Sequence, residues 1–244
     1  MSFASAMNFR DLGGKRADGG RRTRSGQLFR AGTLSYLDEL EAGVLRERLG
    51  LEVYCDLRVD REIQRDGPPA ALVRAGVRWE RLPIDSFYPD FKQHKCPEPA
   101  HWTALYLKIF EDHRPTYNAL LRMAARSEGP MVFGCAAGKD RTGIGAAVLL
   151  GCLLVEEEEI LADYTRTTID IMPHVERFQD YWAKGKPGRT REAFIAHYLT
   201  APTEILAGFL AEVTRRWGGV LPALREAGLE DEVIEVLRGR YLVE

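Results

Sequence analysis

The sequence predicts an α/β protein: a mostly parallel four-stranded sheet flanked by helices, with a largely α-helical C-terminal half. Three observations lead there. Short apolar runs at Gln27–Arg30, Leu51–Leu57, Val77–Pro83 and Pro130–Phe133 are of strand length, and three of them are separated by stretches long enough for a helical crossover. The last run enters a glycine-containing loop, and a small-residue apolar segment, Ile144–Leu154, follows as a buried helix. Beyond Leu154 every periodic segment has helical spacing.

At 244 residues the chain is long enough for one domain with a sizeable core, here read as residues 1–244 with a helical cap at about 170–198. A formal net charge of -2 leaves no footprint for nucleic acid. No run approaches the length of a membrane span, and the opening Met1–Ala6 lacks a charged-then-apolar signal. Cys55, Cys96, Cys135 and Cys152 are spaced too widely for a metal pair, so free thiols in a cytoplasmic setting are expected; secretion without a cleaved signal stays open. The sequence leaves the oligomeric state undetermined.

Taken in order, Asn8–Gly14 reads as turn-rich chain, and the basic, glycine-rich stretch to Gly26 as a loop or hairpin, with Arg21-Arg22-Thr23-Arg24 on the surface. Gln27–Arg30 is the first strand. Asp38 caps a helix to about Leu49, stopped by Gly50. The second strand ends in Asp56-Leu57-Arg58, where a parallel sheet places its ligands, although the two charges can equally pair with each other. Val77–Pro83 leads into Ile84-Asp85-Ser86, and Phe87–Glu98 is an irregular loop whose His94, like His101, has no partner at ligand spacing. Helices follow at Trp102–Glu111 and Pro115–Ser127, the second with proline in its first turn. Glu156–Glu159 is an acidic helix start that continues through Asp163-Tyr164-Thr165-Arg166. Residues from about Asp170 to Tyr198 form two helices around Gly185-Lys186-Pro187-Gly188. Three amphipathic pieces end the chain, near Pro202–Trp217, Leu221–Ala227 and Glu230–Leu237.

The chemistry concentrates on Cys135-Ala136-Ala137-Gly138-Lys139-Asp140-Arg141-Thr142. A strand-to-helix loop converges its N–H groups and the positive end of the helix on one point, which suits a phosphate and favours the anionic form of a cysteine placed there. Arg141 supplies a planar fork able to grip two phosphoryl oxygens. A Walker-type nucleotide loop is excluded: only three residues separate Gly134 from Gly138, and Asp140 stands where Ser or Thr would hold magnesium.

Cys-x5-Arg followed by Thr142 and Gly143 resembles the phosphate-binding loop of cysteine-dependent protein tyrosine phosphatases. The Asn8-Phe9-Arg10-Asp11-Leu12-Gly13-Gly14 opening, Arg30–Leu34, Asp56-Leu57-Arg58 with the acidic Asp60-Arg61-Glu62 after it, Asp163-Tyr164 and the glycine-punctuated ending are similar to one bacterial branch of that superfamily. The resemblance implies phosphomonoester hydrolysis through a phosphocysteine, with no metal and no cofactor. It implies Cys135 as nucleophile, Arg141 and the amides of Ala136, Ala137, Gly138 and Lys139 around the phosphoryl group, and Thr142 donating to the thiolate. Asp56 and Arg58 join the candidate substrate site as braces of the loop. Asp140 is favoured as general acid over Asp85, with Asp90 and Asp112 less well placed. Phosphotyrosine, phosphoserine or phosphothreonine proteins and phosphoinositides are the expected substrates, and Lys139 is expected to widen the positive surface of the loop. One departure stands out: the family has histidine before the cysteine, and this chain has Gly134. That keeps one alternative open, a weakened phosphoprotein-binding module; a second is a sulfurtransferase, since a cysteine loop of this shape can carry sulfur, although those loops are usually shorter and lack Thr142.

Overall fold

In the computed structural model, which describes residues 4–88, 97–181 and 190–244, a short strand β1 (Arg10–Asp11) opens the chain. A 3-10 turn at Asp18–Gly20, β2 (Arg22–Thr23) and β3 (Leu28–Ala31) follow. Helix α1 (Glu39–Glu47) begins where the Asp38 carboxylate accepts from the Glu41 amide at 2.8 Å, the expected cap. After β4 (Val53–Asp56) come two short helices, α2 (Asp60–Asp66) and α3 (Ala70–Arg74), then β5 (Arg78–Arg81). The two helices expected next are one, α4 (Pro99–Arg126), broken at His113 (φ −121°, ψ 18°) just ahead of Pro115. Proline offers no N–H to the previous turn and crowds it, so the helix kinks without ending.

Strand β6 (Met131–Gly134) and helix α5 (Asp140–Cys152) flank the loop of interest. Helix α6 (Glu157–Ile171) passes into 3-10 geometry over Met172–Tyr181. The Gly185–Gly188 turn, like Asp90, His94 and Cys96, lies outside the described residues. The chain resumes as α7 (Arg191–Phe194), a π turn at Ile195–Leu199, α8 (Thr203–Trp217), α9 (Val220–Glu226), α10 (Asp231–Tyr241) and β7 (Leu242–Val243).

The main sheet has the order β1-β3-β6-β4-β5. The four expected strands are parallel; the fifth, β1, is antiparallel on β3, with Arg10 opposite Arg30. Four strands were expected, and the count is corrected to five. Two residues carry no alternation to read, and β1 exists because β3 offers an open edge. A separate pair, β2 with β7, fastens the basic run 21–24 to the end of the chain.

Successive strand residues face opposite layers. Val53, Cys55, Met131 and Phe133 pack into the larger core with α4, α5, α8, α9 and α10. Tyr54, Val132 and Phe29 face Leu45 of α1 and Leu72 of α3. Met7, Ile171, Val175 and Leu199 form a third cluster, and Ala137 of the loop packs against it. The stretch Arg191–Trp217 is apolar and long enough by composition to cross a membrane, contrary to the expectation that none is. It is broken at residues 200–202, and Ile205, Leu206, Phe209 and Val213 of α8 are buried in the main core.

Candidate active site

Strand β6 delivers Cys135, 2% exposed, to the carboxyl edge of the sheet. The preceding Gly134 faces backbone on its free side. A Cβ there would lie 2.7 Å from the carbonyl oxygen of Ala31 and 2.8 Å from that of Gly32, closer than such atoms approach. Gly138 adopts φ +70° and would meet the Ala31 carbonyl at 2.5 Å. Both glycines let the loop lie flat on the end of β3.

That contact orients the loop. The carbonyl of Ala136 accepts from the Thr33 amide at 3.0 Å, and that of Ala137 from Asn8 Nδ2 at 3.2 Å. The Gly138 carbonyl takes two donors, Asn8 Nδ2 at 2.8 Å and Arg30 NH2 at 2.6 Å. A trans peptide points its N–H opposite to its C=O, so the amides of Ala137, Gly138 and Lys139 turn the other way, into the mouth of the loop. Together with the start of α5 they make a concavity of amides of the kind that suits an anion.

The donors on the outer side are themselves held. Arg30 NH1 lies 2.6 Å from Asp163 Oδ2, and Arg10 Nε 2.9 Å from Asp163 Oδ1, all three side chains being nearly inaccessible. Arg10 also bonds Asn8 Oδ1, and reaches the Thr167 hydroxyl at 3.1 Å. Burial works against the Asp163 carboxylate, but Arg30 and Arg10 outweigh it and keep it well below the carboxylate range. Burial and neighbouring Arg30 bring Arg10 down to about 10 against the pull of Asp163. Asn8 and Arg10 of the opening and Asp163 of α6 thus serve one task with Arg30, which is fastening the Gly138 peptide.

Arg141, 6% exposed, sends both terminal nitrogens to Glu62, NH1 to Oε2 and NH2 to Oε1, each at 2.6 Å. NH1 also faces the carbonyls of Ile84 at 3.3 Å and Leu57 at 3.4 Å. Among the described residues these contacts engage NH1 and NH2 and not Nε. Burial opposes the Arg141 cation, yet the charges of Cys135 and Glu62 hold it above its ordinary value. Burial likewise disfavours ionised Glu62, and the Arg141 hydrogen bonds and charge reverse that. Glu62 was missed as a site residue, although it stands in the acidic stretch that followed Asp-Leu-Arg.

Several expected roles change. Asp56 and Arg58 are fully buried and bound to each other, Arg58 Nε to Asp56 Oδ1 at 2.9 Å and NH2 to Oδ2 at 2.7 Å. Arg58 extends further to the Gly67 carbonyl, and Asp56 accepts from the Trp79 indole at 3.2 Å. Neither exposes an atom to substrate, which corrects their placement in the substrate site. Lys139 does not widen the positive surface: it is 1% exposed, with Nζ 2.7 Å from the Tyr198 carbonyl and 4.0 Å from the centre of the Trp102 ring. Desolvation lowers its pKa, against the charge of Asp140. Thr142 Oγ1 is buried with no hydrogen-bond partner among the described residues, so its expected donation to Cys135 is not formed.

The two candidate acids differ in surroundings. Asp85 is half exposed and pairs with Arg61 through two bonds of 2.7 and 3.2 Å, while also accepting from the Phe87 amide. The Arg61 hydrogen bond lowers it to about 2. Asp112 is engaged by Lys108 and the Tyr88 hydroxyl. Asp140 sits at the first position of α5, partly exposed, with the Tyr106 hydroxyl 2.7 Å from Oδ1.

A strand–loop–helix cysteine with a buried arginine behind it defines a class, and comparison with known proteins agrees with it. The chain belongs to the tyrosine phosphatase family, whose model matches residues 1–243. Among its relatives, the triple specificity protein phosphatase PtpB of Mycobacterium tuberculosis is 28% identical, with 97% of each chain covered. A tyrosine-protein phosphatase of Nostoc commune is 30% identical over 79% of this chain and 66% of its own. Among solved structures, TpbA of P. aeruginosa aligns with a TM-score of 0.34 and 18% identity, covering 67% of this chain and 80% of that one.

Proposed function

We propose that this phosphatase hydrolyses phosphomonoesters through a phosphocysteine formed on Cys135. The observation that carries the reading is the orientation of the loop: three carbonyls tied outward leave three amides facing the mouth in which Cys135 sits. In the first step the thiolate attacks phosphorus, an S–P bond forms as the P–O bond breaks, and Asp140 protonates the departing oxygen. In the second, water attacks phosphorus, its proton returns to Asp140, and the S–P bond breaks to release inorganic phosphate and the thiolate. Loop amides and Arg141 Nε stabilise the equatorial oxygens throughout. No step uses a metal.

Gly134 fits this reading better than decay to a binding module. Its missing side chain is demanded by the Ala31–Gly32 backbone, and the hydrogen bonds from Asn8, Arg30 and Thr33 hold the loop without a histidine. Phosphorylated proteins are the substrate class we assign, phosphotyrosine first, with phosphoserine, phosphothreonine and phosphoinositides as further substrates; the triple specificity of the Mycobacterium tuberculosis relative supports that breadth. The test is hydrolysis of p-nitrophenyl phosphate in the presence of a chelator. Wild type turns over undiminished, while Cys135→Ser does not turn over and still binds vanadate. Turnover surviving in Cys135→Ser, or lost on chelation, would overturn the mechanism.

A further inference from the structure

Behind Asp140 stands a pair of tyrosines that the proposed reaction has not used. Tyr106 of α4 and Tyr164 of α6 are both fully buried, their rings edge to face at 6.1 Å and 89°. Their hydroxyls lie 2.7 Å apart, and the Tyr106 hydroxyl lies 2.7 Å from Asp140 Oδ1. The direction of this chain follows from its end. A carboxylate only accepts, so Tyr106 donates to Asp140, and its oxygen then accepts from Tyr164. Burial raises both phenols, and the charge of Asp140 adds to it, so neither gives up its proton near neutral pH.

The seat for the second ring is built into the loop sequence. A Cβ at Gly143, in the first turn of α5, would meet Cδ2 and Cε2 of Tyr164 at 3.2 Å. Glycine there lets the Tyr164 ring lie against the helix start that carries Asp140. The Lys139 ammonium also faces Oδ1, at 3.7 Å. Among the described residues both of these contacts fall on Oδ1, and with the side chain 27% exposed Oδ2 is the oxygen left to carry the proton.

We propose that Tyr106, backed by Tyr164, is a positioning residue that occupies Asp140 Oδ1 and so presents Oδ2 to the leaving-group oxygen. This rests on Asp140 being the general acid. A carboxyl group free to rotate would share its proton between two oxygens and two directions. One hydrogen bond from a rigid phenol removes that freedom, which is how a supporting contact sharpens proton transfer.

The test compares phenyl phosphate, a poor leaving group, with p-nitrophenyl phosphate in the full-length protein. Tyr106→Phe keeps the ring and removes only the hydroxyl. We expect kcat on phenyl phosphate to fall about tenfold and on p-nitrophenyl phosphate by less than about twofold, part of the full effect of an acid. In an Asp140→Asn background the same substitution should cost nothing further, whereas a packing role would still show. Tyr164→Phe should give the same dependence at smaller size, and stands in should Tyr106→Phe fail to fold. Equal losses on both substrates, or a full additional loss in the Asp140→Asn background, would overturn the proposal. If Asp140→Asn itself shows no leaving-group dependence, the assignment of the acid falls and this proposal with it; if Asp140→Asn shows it and Tyr106→Phe does not, only the positioning role falls.

Discussion

Arg141 and Glu62 face each other fork to fork, two nitrogens to two oxygens at 2.6 Å, across the carboxyl edge of the sheet. Their side chains are 7% and 13% exposed. Glu62 also takes the Val59 amide at 3.0 Å, which ties the first turn of α2 to the same pair. The guanidinium is thereby held in one orientation.

Removing one partner of such a pair strands the other. Glu62→Ala should destabilise the fold by roughly 3 kcal/mol, seen as a lower urea midpoint. It should also lower kcat/KM by more than about tenfold, because Arg141 loses its orientation. Glu62→Gln, which keeps one acceptor, should do less of both. An unchanged kcat/KM in a folded Glu62→Ala would show that the pair serves stability alone.

Asp85 supplies a pH prediction. Its folded pKa of about 2 lies below the ordinary 3.8 of an aspartate, so its contribution to stability is complete above 3.8 and is lost as pH falls through about 2. Asp85→Asn should therefore lower the melting temperature slightly at neutral pH, and the gap to wild type should close as pH falls from 3.8 to about 2. The measurement is thermal melting of both proteins from pH 7 to pH 2.

The same ion pair bears on catalysis. An aspartate held ionised by Arg61 is a poor proton donor near neutrality, so Asp85→Asn should leave the leaving-group dependence of kcat as in wild type. Asp140→Asn should cut kcat on phenyl phosphate by about a hundredfold and far less on p-nitrophenyl phosphate. Steady-state rates on the two esters decide it, and the reverse pattern would move the acid to Asp85.

Position 134 should refuse the histidine usual in this family. With the Ala31 carbonyl 2.7 Å from where a Cβ would stand, even Gly134→Ala must push two backbone strands apart. We expect a loss of about 2 kcal/mol for alanine and more for histidine, read from denaturant midpoints. A stable Gly134→His with raised activity would show that the glycine weakens the enzyme.

The cap expected at about 170–198 is open to a chemical probe at the residue that follows it. Leu199 is buried beside Met7 and Val175, in the cluster on which Ala137 rests. Leu199→Ala should loosen that seat by about 2–3 kcal/mol and speed alkylation of Cys135 by iodoacetamide severalfold, where wild type shields the thiol at 2% exposure. Mass spectrometry of the labelled peptide measures it. Equal rates would make the cap a fixed part of the core.

What the sequence determined by itself is local in origin. Four parallel strands could be read because each is a short apolar run, and the Asp38 cap because an N-cap needs only its own first turn. Cys135, Asp140 and Arg141 could be proposed together from the sequence because one loop carries them at a spacing that chemistry restricts. The tertiary structure alone decided the rest. Glu62 reaches Arg141 across 79 positions, and Asp163 reaches Arg30 across 133, distances at which no periodicity survives. β1 needed the free edge of β3 to become a strand. Lys139, expected on the positive surface of the loop, and Arg58, expected to brace it, are inside because partners from elsewhere receive them: the Tyr198 carbonyl and Trp102 ring for one, Asp56 and Gly67 for the other. Burying a charge is tolerable only where such partners converge, and their convergence is a property of the fold, not of any segment within it.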